Sequence, residues 1–230
     1  MPPRAKKPPP PIDVRIETKA ALAWLKRSGR RTNVEGMARY GIRASKVFGV
    51  SVREIERYAR PFRRQHALAL SLFDTGWFEA RLMGAFVADP DQLTVTQMNL
   101  WCKAFENWAD CDHACFHLFD KSPLAWSRVR AWAPKKREFE KRAAFALIAS
   151  LALHDRASPD APFAKVLPLI ARGAKDERNF VKKGVSWALR GICARRPAVK
   201  PAALALARKL AASEHPAERW VGKDVLRQVK

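Results

Sequence analysis

The sequence predicts an all-α fold built from helix pairs that repeat about every 40 residues, and three observations carry that expectation. From Asp13 onward, nearly every segment places apolar residues at helical spacing. Alternating apolar–polar strands flanked by Asn-Gly or Asp-Gly turns are missing. Three stretches also align on a basic residue: Phe139-Glu140-Lys141-Arg142-Ala143-Ala144, Phe180-Val181-Lys182-Lys183-Gly184-Val185 and Trp220-Val221-Gly222-Lys223-Asp224-Val225. Arg142 and Lys183 are 41 residues apart, and Lys183 and Lys223 are 40 apart. A period near 40 with two helices per unit is the signature of HEAT-like repeats. The expected architecture is therefore a HEAT-like repeat α-solenoid, with helix pairs stacked into a curved array. Equivalent positions of the inner helices line its concave face, so Arg142, Lys183 and Lys223 would form a basic row. Trp77-Phe78-Glu79-Ala80-Arg81-Leu82 reads as an earlier copy, displaced by one extra helical pair.

Residues 1–12 form a basic, Pro-rich tail, expected to be disordered because proline-dense chain neither forms helix nor buries surface. Residues 13–230 read as one repeat domain. The first helix spans Asp13–Arg27, with Ile16, Ala20, Ala23 and Trp24 on one stripe and Ser28-Gly29 ending it. A short helix over Val34–Tyr40 closes at Gly41. Ser51 caps Val52–Arg60, and Glu54 three residues on completes a capping box. Pro61 interrupts before Arg63–Asp74, and Trp77–Ala88 ends at Asp89-Pro90-Asp91. Thr94 or Thr96 caps a helix running to Phe105, followed by Trp108–Phe119. Ser122–Trp132, Arg137–Leu153, Phe163–Arg172, Asp176–Ala194, Lys200–Ala212 and Pro216–Val229 complete the set.

With 230 residues and 48% hydrophobic composition, the chain can bury a substantial core. No uncharged apolar run reaches roughly 18 residues, so no transmembrane helix and no membrane partner are expected. The N-terminus lacks the apolar segment of a secretory signal. Four cysteines in a chain this long make no disulfide framework, and a reduced, cytoplasmic protein is expected. The net charge of +22 favours a polyanionic partner, nucleic acid ahead of membrane. Its distribution says more. Residues 1–70 carry +12, residues 71–127 carry −5, and residues 128–230 carry +15. An acidic segment is thus bracketed by two basic ones, as a phosphate grip around a carboxylate centre requires. Dispersed solubilising charge would give the same totals.

Within the acidic segment, Trp108 and Asp112 are four residues apart and share one helical face. Arg142 and Trp187 lie downstream. A carboxylate, a guanidinium and two indoles suit a cationic, electron-poor substrate attached to a phosphate backbone. They also suit a buried ion pair among core aromatics. Lys183, Trp187 and Arg190 share a face, and mixed basic–aromatic faces fit nucleic acid better than core. Cys111, His113, Cys115 and His117 have the composition of a metal site, but on a helix the two pairs point in different directions. Buried thiols are the expectation, with neither metal nor cofactor. No phosphate-binding glycine loop, zincin motif or nucleophile elbow is present.

Taken together, Tyr40-Gly41-Ile42 through Lys46-Val47-Phe48-Gly49-Val50, Trp108-x-x-x-Asp112, Lys141-Arg142-Ala143-Ala144 and Asn179 through Arg190 resemble the AlkD family of bacterial DNA alkylation-repair glycosylases. The resemblance spans Val34 to Val229. It implies a HEAT-like repeat cradle for double-stranded DNA, and excision of cationic N3- and N7-alkylated purines without flipping the base into a pocket. By match of motif, the catalytic aspartate falls on Asp112, the arginine on Arg142 and the two tryptophans on Trp108 and Trp187. Ala109-Asp110-Cys111 departs from the family's more polar and aromatic pattern. Lys183, Arg190, Lys223, Arg43 and Lys46 are the expected DNA contacts, on a monomer associated with the nucleoid when DNA-bound. Two rival readings share the fold: a non-catalytic binder of distorted or branched DNA, and a protein–protein scaffold. Release of a base separates the first reading from the second, and DNA affinity at low salt separates both from the third.

Overall fold

The computed structural model describes residues 10–229, so most of the N-terminal tail lies outside the described residues. At its end, Pro10 offers its carbonyl to Gln65 Nε2 at 2.6 Å. The described residues are helical without strands and divide into two compact units, one through Leu93 and one from Thr94.

The first unit holds α1 (Val14–Ser28), α2 (Arg31–Arg39), α3 (Val52–Ala59), α4 (His66–Asp74) and α5 (Phe78–Val87). Asp13 caps α1 by accepting from the amides of Arg15 and Ile16, and Ser51 and Glu54 form the expected capping box on α3. Two boundaries differ from the pattern by three residues. α2 begins at Arg31, not Val34, because the loop after it returns and Gly49 O accepts from Arg30 N. α4 begins at His66, not Arg63, because a 3-10 turn at Arg60–Phe62 is followed by Arg64 in the left-handed region at φ 70°. That backbone is costly for a residue with a Cβ. It turns the Arg64 guanidinium onto Asp89 at 2.8 Å and Asp91 at 2.9 Å.

The loop joining α2 to α3 carries Arg43 and Lys46, both exposed, and a buried carboxylate organises its end. Glu79 of α5 is 0% exposed and accepts from the amides of Phe48 (3.0 Å), Gly49 (2.6 Å) and Val50 (3.3 Å). A burial this complete is tolerable only because these donors replace water. Gly49 adopts φ 85°, and a Cβ there would lie 2.2 Å from Arg30 O. The Phe48 ring stacks on Trp77 at 3.8 Å. Replacing Glu79 with Gln turns an amide N–H toward backbone N–H groups. It should cost about 2 kcal/mol, or roughly 4–8 °C in Tm for a chain of this size. Thermal unfolding followed by circular dichroism checks this, and an unchanged Tm would contradict the anchoring role.

The second unit holds α6 (Val95–Lys103), α7 (Trp108–His117), α8 (Ala125–Trp132), α9 (Glu138–His154), α10 (Ala161–Lys165), α11 (Leu167–Gly173), α12 (Asn179–Arg195), α13 (Lys200–Ala211) and α14 (Pro216–Gln228). Thr94, not Thr96, caps α6. The single helix expected over Phe163–Arg172 is broken at Val166, since Pro168 in the first turn of α11 has no amide to continue the ladder from α10.

The repeat shows in the packing. Cys111 and Cys115 on α7 meet the carbonyls of Phe139 and Ala143 on α9, a constant offset of 28 residues. Gly184 and Gly191 on α12 lie against Arg142 and Ala149 of α9. Ser186 and Arg190 of α12 pair with Asp224 and Gln228 of α14, each 38 residues on. A fixed offset means that neighbouring helices run parallel. So α7, α9, α12 and α14 form one parallel layer, and α8, α11 and α13 pack against it as their paired helices. That is the HEAT-like arrangement the 40-residue spacing predicts. Close approach requires glycine at one junction, where a Cβ on Gly222 would stand 2.2 Å from Ala211 N.

Candidate functional site

The site begins with a cap. Asn107, 1% exposed, accepts from the amides of Ala109 and Asp110, and the Asp110 carboxylate accepts from Glu106 N at 3.0 Å and Asn107 N at 3.2 Å. This reciprocal box fixes the first turn of α7, and with it the direction in which Trp108 and Asp112 leave the helix. Asp110, which reads as a departure in a family motif, is an acceptor in this cap.

Asp112 meets Arg142 across the α7–α9 junction. Nε donates to Oδ1 at 2.8 Å and Nη2 to Oδ2 at 2.6 Å, a two-point fork. Nη1 of Arg142 donates to Phe180 O at 2.5 Å, which ties the pair to α12. The side chains of Asp112 and Arg142 are 18% and 7% exposed, so the pair is largely removed from water while Asp112 keeps a small exposed part. Burial pushes the Asp112 carboxyl above its ordinary value, against the opposing pull of the Arg142 guanidinium. Burial pulls Arg142 down, yet the charge of Asp112 and its hydrogen bonds together hold it above its usual value. Gly184 packs against this side chain, where a Cβ would lie in ordinary contact with Arg142 Cγ at 3.4 Å.

The expected residues take different positions around this pair. Trp108 opens α7 and is half-buried, as is Trp187 on α12. Trp187 reaches the Asp112 helix through Phe116, one turn beyond Asp112, whose ring lies parallel to the indole at 6.4 Å. Phe116 also meets His154 edge-on at 4.3 Å. His154 Nδ1 is 2.5 Å from Asp120 Oδ2, and that buried carboxylate also accepts from Ser150 Oγ at 2.6 Å. Phe116, His154 and Asp120 escape notice in the sequence because single aromatics and histidines on apolar helices carry no spacing signal. Only the parallel offset of α7 and α9 brings them together.

The basic row needs correction at its first member. Arg142 is 6% exposed and faces Asp112 and a backbone carbonyl, whereas Lys183 and Lys223 are exposed at the later copies. A carboxylate within reach captures the guanidinium, since leaving either group alone in that interior would be expensive. Arg190 is half-buried, donating to Gln228 Oε1 and standing 3.9 Å from Asp224. Arg43 and Lys46 lie in the first unit, on the loop held by Glu79.

All four cysteines are free and buried. Burial pushes the Cys111 and Cys115 thiols upward, away from reactive thiolate. Among the described residues, no group of three or more His, Cys, Asp or Glu side chains is placed to hold a metal ion. None of their helices is long and apolar enough to cross a membrane.

Comparison with known proteins follows from this geometry. A family model described as DNA alkylation repair enzyme matches residues 21–215. The curated proteins contain no match. Among solved structures, the chain is similar to one described as a new family of proteins related to the HEAT-like repeat DNA glycosylases with affinity for branched DNA structures. The TM-score is 0.75 at 16% identity, covering 92% of this chain and 95% of that one. At that identity the likeness is one of fold.

Proposed function

The chain belongs to the DNA alkylation repair enzyme family, and from that membership we propose that it is a DNA glycosylase acting on cationic N3- and N7-alkylated purines in double-stranded DNA. The observation that carries this reading is the Asp112–Arg142 fork, a largely desolvated carboxylate held at two points, on a helix that opens with the half-buried Trp108 and meets the half-buried Trp187 through Phe116. Alkylation at N3 or N7 puts positive charge on the base and makes it a good leaving group. As the glycosidic bond lengthens, positive charge moves to the sugar. A carboxylate already held in place stabilises that charge without reorganising, an effect worth several kcal/mol in a water-poor site.

Arg142 acts here as a positioning residue. It opposes the effect of burial on the Asp112 carboxyl and fixes its rotamer, although it weakens the field of the carboxylate at a distance. The exposed part of the Asp112 side chain orients the attacking water. Trp108 and Trp187 pack on the sugar or the cationic base, each worth about 0.5–2 kcal/mol when desolvated. Leaving the base in the stack avoids the few kcal/mol of extrusion.

Lys183 and Lys223 bind phosphates and carry no sequence preference. Replacing both with alanine should weaken duplex binding uniformly across sequences and lower the salt slope by about 2. Fluorescence anisotropy titrations across a salt series check it; an unaltered slope would place the DNA elsewhere.

A second reading is a non-catalytic protein of the same fold that binds branched or distorted DNA. The closed ion pair favours it, because both Asp112 oxygens are already occupied. Chromatography of bases released from methylated duplex DNA separates the two: the enzyme gives turnover, and the binder gives affinity alone.

A further inference from the structure

Among the described residues, α2 is the only α-helix that buries none of its side chains. It has an apolar stripe nonetheless, since Val34, Met37 and Ala38 stand at i, i+3 and i+4 on one face. That face and the returning loop, through Ile42 and Val47, enclose an apolar pocket of about 220 Å³. The far end of the loop is pinned, which holds the pocket's shape. Asn33 Nδ2 donates to Gly49 O at 2.8 Å, and Glu79 holds the amides of Phe48 and Gly49. Tyr40, at the end of α2, is 74% exposed. Around the pocket, Arg30 meets Glu54 at 3.1 Å and Arg31 meets Glu35 at 2.9 Å. Arg39 and Lys46 are exposed, and among the described residues neither has a carboxylate partner. No acidic residue among the described ones lines the pocket.

We propose that this pocket docks an acidic segment of a partner protein that carries one bulky apolar side chain. That side chain enters the pocket while flanking carboxylates meet Arg39 and Lys46. Three observations select this occupant. At about 220 Å³ the pocket is smaller than the roughly 300–1,000 Å³ of small-molecule sites, and suits a single anchoring side chain. Its walls are aliphatic, with the Met37 thioether and no aromatic ring on which a base could stack, so nucleic acid gains little there. Exposed cations beside an apolar hole complement a segment rich in Asp and Glu, whereas a second copy of this chain would bring a net charge of +22 against them. The thioether favours an aromatic anchor, phenylalanine above all. The docking site lies in the first unit and does not depend on any chemistry at Asp112.

The test uses the full-length protein and two fluorescent peptides rich in Asp and Glu, one with a central phenylalanine and one with serine in its place. In anisotropy titrations, wild type should bind the phenylalanine peptide at least about tenfold more tightly, the equivalent of one buried apolar side chain. M37E puts a carboxylate in the pocket and should abolish that difference, after circular dichroism melts matched to wild type establish folding. R39Q changes an exposed side chain, so folding is not at stake. It should weaken the phenylalanine peptide about threefold and flatten the salt dependence of its binding. Because Lys46 is also an expected DNA contact, it is left in place. Equal affinity for the two peptides, binding of neither, or a preference that survives in M37E would overturn the proposal. Concentration-dependent self-association in sedimentation velocity that M37E abolishes would also overturn it, by giving the pocket to a second copy. Loss of blunt-duplex affinity in M37E, with neither peptide bound by wild type, would give the pocket to DNA instead.

Discussion

Replacing Asp112 with asparagine is expected to lower release of N7-methylguanine from methylated duplex DNA by at least about 100-fold, the scale set by removing one preorganised electrostatic group. Affinity for the duplex should stay near that of wild type, because on the proposed reading phosphates are held by exposed cations such as Lys183 and Lys223. The substitution keeps shape and one acceptor oxygen, so Arg142 retains a partner for part of its fork. It removes the negative charge that the proposed chemistry needs. Base release at the wild-type rate would remove Asp112 from the chemistry, whatever its effect on stability.

The second large effect concerns Arg142. Its replacement by alanine leaves a mostly buried carboxylate without its guanidinium and leaves Phe180 O without its donor. Breaking such a pair from one side typically costs about 3–5 kcal/mol, so R142A should lower Tm by roughly 6–20 °C. The double variant D112N/R142A should recover part of that loss, since no unpaired charge then remains. Denaturant unfolding of the two singles and the double gives the coupling directly. Additive losses would mean that the fork does not hold α7 against α9. Lysine at 142 should be a poor substitute, because a point charge cannot reproduce two parallel bonds plus the one to α12.

A second carboxylate gives this layer a pH dependence of its own. Asp176 accepts from Arg178 and from Lys141, and these hold it well below the ordinary carboxylate range. Its contribution is therefore complete above the unfolded value and is lost as pH falls toward the lower folded value.

Much of the architecture was legible in the sequence because helices leave a local trace. The 41- and 40-residue spacings of Arg142, Lys183 and Lys223 reflect the parallel layer of α9, α12 and α14. The capping box at Ser51 was readable for the same reason. What the pattern did not carry were contacts between segments. Spacing places Arg142 on a surface row, and only the α7–α9 junction shows that a carboxylate 30 residues earlier draws it inward. Glu79 looks like an ordinary polar position in its helix, yet its role depends on three amides some 30 residues before it. Asp110 and Asn107 form a cap that the notable Trp108-to-Asp112 spacing obscured.

The central claim is that the Asp112 carboxylate acts on a sugar on which positive charge develops. It is tested most directly by a time course of bases released from methylated double-stranded DNA by the wild-type protein, beside a protein-free control. The account predicts catalytic release of N7-methylguanine and N3-methyladenine well above spontaneous loss. Release no faster than the control, from DNA shown to be bound, would contradict it.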